Sequence, residues 1–546
     1  MLPLTMKLAR RTFSTAVSAP TGPLAGLRVL DLSAILAGPS ATMLMADLGA
    51  HITKIERPRR GDDTRRFAPP YLQKGPEQDS DISAYFASCN RNKHSVALNF
   101  ATGEGQQVVR RLLQDSQVLV ENFKTGTLDK YGLGYKQLRE EFPGLIYCSI
   151  TGFGNTGPYK ERPAYDMLIQ AMGGSMSITG VPDGEPMKMG VSMFDLTAGL
   201  HAIIGILAAL RHKAQTGIGQ HVDISMLDVS VALLQNQGMN YLAKKQRQAR
   251  VGNSHPNVVP YQVMPSRDDY FILTASNDEQ FEKFCKVAAV EELLQDERFS
   301  TMKARVVNRV EVTERLNEIT RGHATNWWLQ ELQTAGVGCA PILHLDEVFA
   351  DPQVRSRDMM IQMAMPGFQQ PVNLIGSPLK FSRTKVNYRL PPPRLGEHTD
   401  PVLLAAGFTE AEIEQLRVSG AVGEAPQPME MPTPPLTTAT PTVSGDKESD
   451  LSVGPLLGST WDSVRSTSVP NASAYLSSKP ASVPRPRSKL RGRAVGGGTW
   501  DSVRSMSVPN ASAFMEFPLG EDAVPPRPRR RFAKMQDQST SSEPVA

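Results

Sequence analysis

An α/β fold with a parallel sheet is predicted for the first half of this 546-residue chain, and two stretches carry the prediction. Residues 27–33 (LRVLDLS) read as a short apolar strand, a glycine-containing turn and a helix through Asp47 follow, and residues 48–56 (LGAHITKIE) give a second strand. Strand, turn, helix, strand is a βαβ unit, which sets its two strands parallel. A helix over 103–115 and the run Val118, Leu119, Val120, Glu121 repeat the alternation. Neither turn contains GxGxxG, so a dinucleotide is not indicated.

Further along, residues 189–194 (MGVSMF) read as the end of a strand, and residues 196–210 as a long helix of Ala, Leu, Ile and small residues. Asp195 stands at their junction. Spacing alone makes it a helix cap, because a carboxylate satisfies the free N–H groups of a first turn and suits the dipole there. Residues 222–234 read as a short strand running into a long helix. That helix leads to a smaller domain over 230–345, with a strand at 270–275 and helices around 278–335. The chain returns through strand-like residues 372–375 and the segment 391–406. The organisation expected is therefore a large domain over 24–229, a small domain over 230–345 and a return segment over 346–420. Beyond 420, Pro, Ser, Thr, Gly and Arg dominate with few apolar anchors, which predicts a disordered tail over 421–546. Within it TWDSVRS and VPNASA, beginning at Thr460 and Val469, recur 39 residues later, and two copies are too few for a solenoid.

The net charge of +4 is uneven. Residues 1–20 hold Lys7, Arg10 and Arg11 with no acid, and residues 421–546 hold 14 Lys/Arg against 12 Asp/Glu, which leaves the centre near −1. A general nucleic-acid binder is excluded on that balance. The basic, hydroxyl-rich, acid-free residues 1–20 read as a mitochondrial presequence, with Arg11 two residues before a cleavage expected after Phe13, and hence a matrix protein. No apolar run of about 18 residues follows the presequence, so no membrane span is expected. Cys89, Cys148, Cys285 and Cys339 are widely spaced, with no disulfide or metal framework, and are expected to be reduced.

Seven short segments together resemble the family III (CaiB/BaiF) CoA-transferases, a family that also contains 2-methylacyl-CoA racemases. They are LAGP at 36–39, KIERP at 54–58, NRNKHSVAL at 90–98, VENFKTG at 120–126, the pair Tyr165-Asp166, DLTAG at 195–199 and LGEHTD at 395–400. The resemblance implies a Rossmann-like, parallel-sheet large domain built from both chain ends, with the smaller α/β domain inserted. It also implies a ring-like chain that interlocks with a second copy as a homodimer. By the same resemblance Asp195 is the catalytic nucleophile with Asp166 and Tyr165 beside it, and Ala37, Arg57, Leu98, Asn122, Phe123 and Lys130 bind CoA. Two positions depart from the family pattern: Ala101 stands where a basic residue is usual, and Thr125 replaces a proline. Racemases of the family carry His where this chain has Tyr165. A two-base proton abstraction needs a group titrating near neutral pH, and tyrosine at about 10 is poorly suited, so transfer is favoured over isomerisation.

The chemistry explains why a carboxylate is needed. Exchanging one thioester for another requires no ATP, provided the enzyme conserves the acyl activation in covalent intermediates of its own. An Asp carboxylate can form an anhydride with an acyl group and then a thioester with CoA. No metal or resident cofactor is called for, only CoA thioesters as substrates. The segments GDDTR, YCSITGFG and VSMFDLTAGL resemble those of family members acting on dicarboxylic acids, which implies succinyl-CoA as donor and glutarate or a similar acid as acceptor.

Overall fold

A computed structural model of the chain describes residues 21–423. The expected presequence and, apart from residues 421–423, the expected tail with its repeat lie outside the described residues. β1 (Arg28–Asp31), α1 (Ala37–Asp47) and β2 (His51–Glu56) form the βαβ unit, with β1 and β2 parallel. A hairpin of β3 (Tyr71–Gly75) and β4 (Gln78–Ser83) and the short helix α2 (Ala84–Ser88) lead to β5 (Lys93–Ala97). Then come α3 (Gly103–Leu113), β6 (Val118–Glu121), α4 (Tyr135–Glu141), β7 (Ile146–Thr151), α5 (Asp166–Met172), α6 (Ser175–Ile178), α7 (Met193–Thr216) and β8 (His221–Ser225).

Six of these strands make one parallel sheet in the order β5-β2-β1-β6-β7-β8. Every residue of β6 and β7 is buried, as expected of strands covered on both faces. Alternation sorts the side chains: Val29, Val118 and Val120 face α1 and α7, while Leu30 and Leu119 face the layer of Val108, Leu112, Leu403 and Ile413. Strand order reverses direction at β1, so the loops leaving β1 and β6 border a crevice at the sheet's C-terminal edge.

Three expectations are corrected. Residues 189–192 form no strand, and α7 already begins at Met193. The helix after β8 is broken into α8 (Met226–Ala232) and α9 (Gln235–Lys244), with Gln235 at φ 41° at the break. The large domain extends past 420, because Ala421 and Val422 are buried and Val422 bridges Leu98. Residues 399–422 return to the parallel-sheet part of the fold: the Ala97 N–H donates to Thr399, and Leu403 and Ile413 join its core. The smaller unit has its own antiparallel sheet of β9 (Tyr261–Pro265), β10 (Tyr270–Thr274) and β11 (Gly338–Pro341), packed on Phe281, Phe284 and Trp328. β12 (Met360–Met363) and β13 (Val372–Ile375) pair separately, against Ile82 and Phe86.

α7 is long and apolar enough to cross a membrane, which the sequence reading did not anticipate. One face, through Phe194, Ala198, Ala202, Ile206 and Ala209, is buried in the core. The other carries Leu196, Leu200, Ile204 and Leu207, all exposed.

Candidate active site

The crevice at the switch in strand order is a cavity of about 290 Å3. Its walls are residues 32–35 after β1, 54–57 at the end of β2, the loop 61–63, Phe100, and Asn122 and Phe123 after β6. Phe100 and Phe123 meet edge to face at 5.6 Å and supply an apolar side. Arg57 stands half-exposed at the rim, with Nη2 donating to Asp63 at 2.7 Å. Asn122 reads the opposite wall with both ends of its amide: Oδ1 accepts from Ala34 N–H at 2.8 Å and Nδ2 donates to Ala34 C=O at 2.7 Å.

The other half of the site lies where α5 meets the start of α7. Asp195 is the third residue of α7 rather than its cap, and Ser192 at the cap position makes no capping bond. The cap comes from another helix. Asp166 Oδ1 accepts from the N–H groups of Phe194 (2.7 Å) and Asp195 (3.3 Å), the first-turn donors that a local cap would have served. Its Oδ2 accepts from Gln170 Nε2 at 2.5 Å, and Gln170 Oε1 accepts from Met189 N–H at 2.8 Å. This arrangement releases the Asp195 side chain from capping, and among the described residues no donor is bonded to its carboxylate. Burial, and secondarily the facing charge of Asp166, push Asp195 up to about 7. A carboxylate titrating there is a stronger nucleophile than an ordinary one and is still about half ionised at neutral pH.

α7 is held against α1 one turn further on. A Cβ on Gly199 would lie 2.7 Å from the Ala37 carbonyl oxygen and 2.8 Å from Ser40 Oγ, so only glycine allows this approach. Gly199 is four residues beyond Asp195 and shares its helix face. Asp195 therefore lies one helical turn from the contact between α7 and α1, the helix that follows the turn walling the cavity.

The structure brings together some sequence-predicted residues and separates others. Arg57, Asn122 and Phe123 share the cavity, and Asp166 and Asp195 share the second centre. Ala37 is buried in the α1–α7 contact between the two. Leu98 is not on the cavity wall, since it is fully buried in the core beneath Val422. Lys130 is exposed on a single 3₁₀ turn and also off the wall; its neighbour Tyr131 packs on Phe100 at 5.7 Å. Tyr165 is 69% exposed, its carbonyl receiving the first N–H groups of α5. Tyr85 was missed. It projects from α2 with its hydroxyl bonded to Ser192, and burial and the Asp195 charge hold its phenol above the usual range. Nothing in the sequence around α2 marks it, because its contact with Ser192 spans 107 residues.

Residues 24–399 match the family model for CoA-transferase family III. The chain is 42% identical over 387 residues to a succinate--glutarate CoA-transferase of Agrobacterium fabrum, covering 70% of this chain and 95% of that protein. It is 38% identical over 403 residues to the succinyl-CoA:glutarate CoA-transferase of Homo sapiens, covering 74% and 90%. A crystal structure of a CAIB/BAIF family protein from Brucella suis superposes with a TM-score of 0.63 at 44% identity, covering 71% of this chain and all of that one.

Proposed function

The chain belongs to CoA-transferase family III, and from that premise we propose that it moves coenzyme A from succinyl-CoA to glutarate through covalent intermediates on Asp195. The observation that carries this reading is the Asp195 carboxylate itself, relieved of capping by Asp166 and raised to about 7. The Asp195 carboxylate adds to the thioester carbonyl of succinyl-CoA and expels CoA thiolate, leaving an aspartyl–succinyl anhydride. The thiolate then attacks the aspartyl carbonyl; succinate departs and CoA is held as an aspartyl thioester. A glutarate carboxylate attacks that carbonyl, giving an aspartyl–glutaryl anhydride and thiolate again. Attack of the thiolate on the glutaryl carbonyl yields glutaryl-CoA and restores Asp195. Overall one thioester is lost and one is gained, so no outside activation is consumed.

Arg57 at the rim suits a phosphate of CoA by charge and bidentate donation, and Phe100 and Phe123 suit its apolar parts. The exposed stripe of α7, together with exposed Met167, Leu168 and Met172 of α5 and Val231, Met239 and Leu242 of α8 and α9, supports a homodimer burying this face against a second copy. Light scattering showing a monomer at micromolar concentration would remove that element. Matrix localisation rests on the composition of residues 1–20 and is tested by sequencing the N-terminus of the protein from purified mitochondria.

The experiment for the reaction is transfer by the full chain from succinyl-CoA to a panel of acids, with Asp195→Ala alongside. Formation of glutaryl-CoA by the parent and none by the variant is expected. Exchange of the α-proton of a 2-methylacyl-CoA without transfer to any acid would place the chain with the isomerases instead.

A further inference from the structure

The turn between β1 and α1 is held by side chains at every residue from 33 to 35. Ser33 N–H and Oγ donate to Asp31 at 2.9 and 2.5 Å, and its carbonyl accepts from Lys54 Nζ at 2.8 Å. Ala34 is held at both polar atoms by Asn122. Ile35 N–H donates to Asp62 Oδ1 at 3.2 Å, and its carbonyl faces Cys89 Sγ at 3.6 Å. Ile35 sits at φ 70°, in the left-handed region, and is the one β-branched residue with positive φ among the described residues. That conformation is costly for any residue with a Cβ and worse for a branched one. It persists only where surroundings enforce it.

What enforces it is a buried assembly. Asp62 Oδ1 also accepts from Thr64 N–H (3.0 Å) and Thr64 Oγ1 (2.7 Å), while Oδ2 pairs with Lys54 Nζ at 2.9 Å, both charged side chains being fully buried. The Asp62 N–H is fixed in turn by Glu56 Oε2 at 3.0 Å. On one side of this turn lies the cavity wall, and on the other Ala37 presses on α7 one turn from Asp195.

We propose that Asp62, with Lys54 behind it, is a positioning residue for acyl transfer: it holds Ile35 left-handed so that the 33–36 turn fixes the cavity wall relative to the Asp195 helix. The proposal rests on the transferase reading above. Neither side chain takes part in bond making. Asp62 spends binding energy on a strained backbone, and that backbone registers the CoA site with the nucleophile.

The test is a double-mutant cycle on the full-length chain: parent, Asp62→Ala, Ile35→Gly and the double variant, with kcat and KM for transfer. Release of one left-handed residue corresponds to about a five- to thirty-fold change, so Asp62→Ala, which leaves no acceptor for the Ile35 N–H, should lower kcat/KM by about that factor. Glycine adopts positive φ without strain, so in the Ile35→Gly background the same Asp62 substitution should lower kcat/KM less than about three-fold. Ile35→Gly removes a side chain from the wall and will shift KM by itself; the comparison is between the two Asp62 penalties. Equal penalties in both backgrounds, or no penalty in the parent, would overturn the proposal. If Asp62→Ala does not fold, Thr64→Val replaces it, since this loses the hydroxyl orienting Oδ1 without unpairing Lys54, and the same suppression is required. Should the parent transfer no CoA to any acid, the reaction reading alone fails. The cycle is then read on the calorimetric Kd for CoA, where equal penalties again overturn the clamp.

Discussion

Asp166→Asn separates the two things Asp166 does. The amide oxygen can still accept from Phe194 N–H, so the start of α7 keeps its cap, but the charge facing Asp195 is gone. Loss of a carboxylate at a helix N-terminus costs about 0.3–1 kcal/mol, too little to unfold the protein. The effect on Asp195 is larger. Burial is the main reason Asp195 titrates at about 7, and burial survives the substitution; the charge of Asp166 is the second cause. Its removal should lower the Asp195 pKa by roughly one pH unit, or about 1.4 kcal/mol. Transfer requires the ionised carboxylate, so kcat/KM of the parent should rise with pH through about 7, and that of the variant through roughly 6. At pH 6 the ionised fraction goes from about one-tenth to about one-half. The assay is glutaryl-CoA formation from succinyl-CoA between pH 5 and 9. An acid limb that stays at 7, or moves up, would refute the pairing of these two carboxylates.

Three further outcomes follow from the same structure. A carboxylate raised from 3.8 to about 7 opposes folding where it is ionised, so Asp195→Asn should stabilise the protein by up to about 4 kcal/mol at pH 8. The gain should shrink as pH falls from 7 toward 4, and thermal melts across that range read it. His94 stacks on His51 at 4.4 Å and meets His398 edge to face at 4.8 Å; burial first, then the charge of a neighbouring ring, lowers each to about 4, with Arg28 and Arg389 adding to the effect at His51 and His94. Neutral rings favoured by the fold mean stability present above 6.5 and lost as pH falls from 6.5 toward 4; His94→Phe should flatten that part of the melting profile. Arg57→Ala should raise the KM for succinyl-CoA roughly ten-fold or more with little change in kcat, because a charged donor to phosphate is lost from binding and not from the reacting bonds. Steady-state kinetics checks the split.

The parts of the fold that were legible in the sequence are those fixed by local pattern. The strand and helix from 27 to 56 and the strand Val118–Glu121 lie where apolar runs and turn glycines put them. The misreading at 189–194 has a physical cause: an apolar run ahead of an Asp looks like a strand feeding a capped helix. Here the cap arrives from α5, so the helix starts earlier and Asp195 moves inside it. Spacing made Asp195 a cap and resemblance made it the nucleophile; neither could show that its side chain is spared from capping. Resemblance supplied Arg57, Asn122 and Phe123, which share one cavity, and also Leu98 and Lys130, which lie off its wall. Tyr85 and Gln170 gave no signal at all, and Asp62 lay in the segment GDDTR, which was read for substrate class only. Each matters through a partner that only the folded chain brings near, such as Gln170 reaching Met189 or Asp62 reaching back to Ile35.

The central claim is that CoA is carried on Asp195, and the direct measurement is mass spectrometry of the full-length protein quenched during turnover with succinyl-CoA and no acceptor acid. The account predicts a CoA adduct on the peptide containing Asp195, discharged when glutarate is added before the quench and missing from Asp195→Ala. Steady transfer to glutarate with no adduct on that peptide, or an Asp195→Ala variant that still transfers, would contradict it.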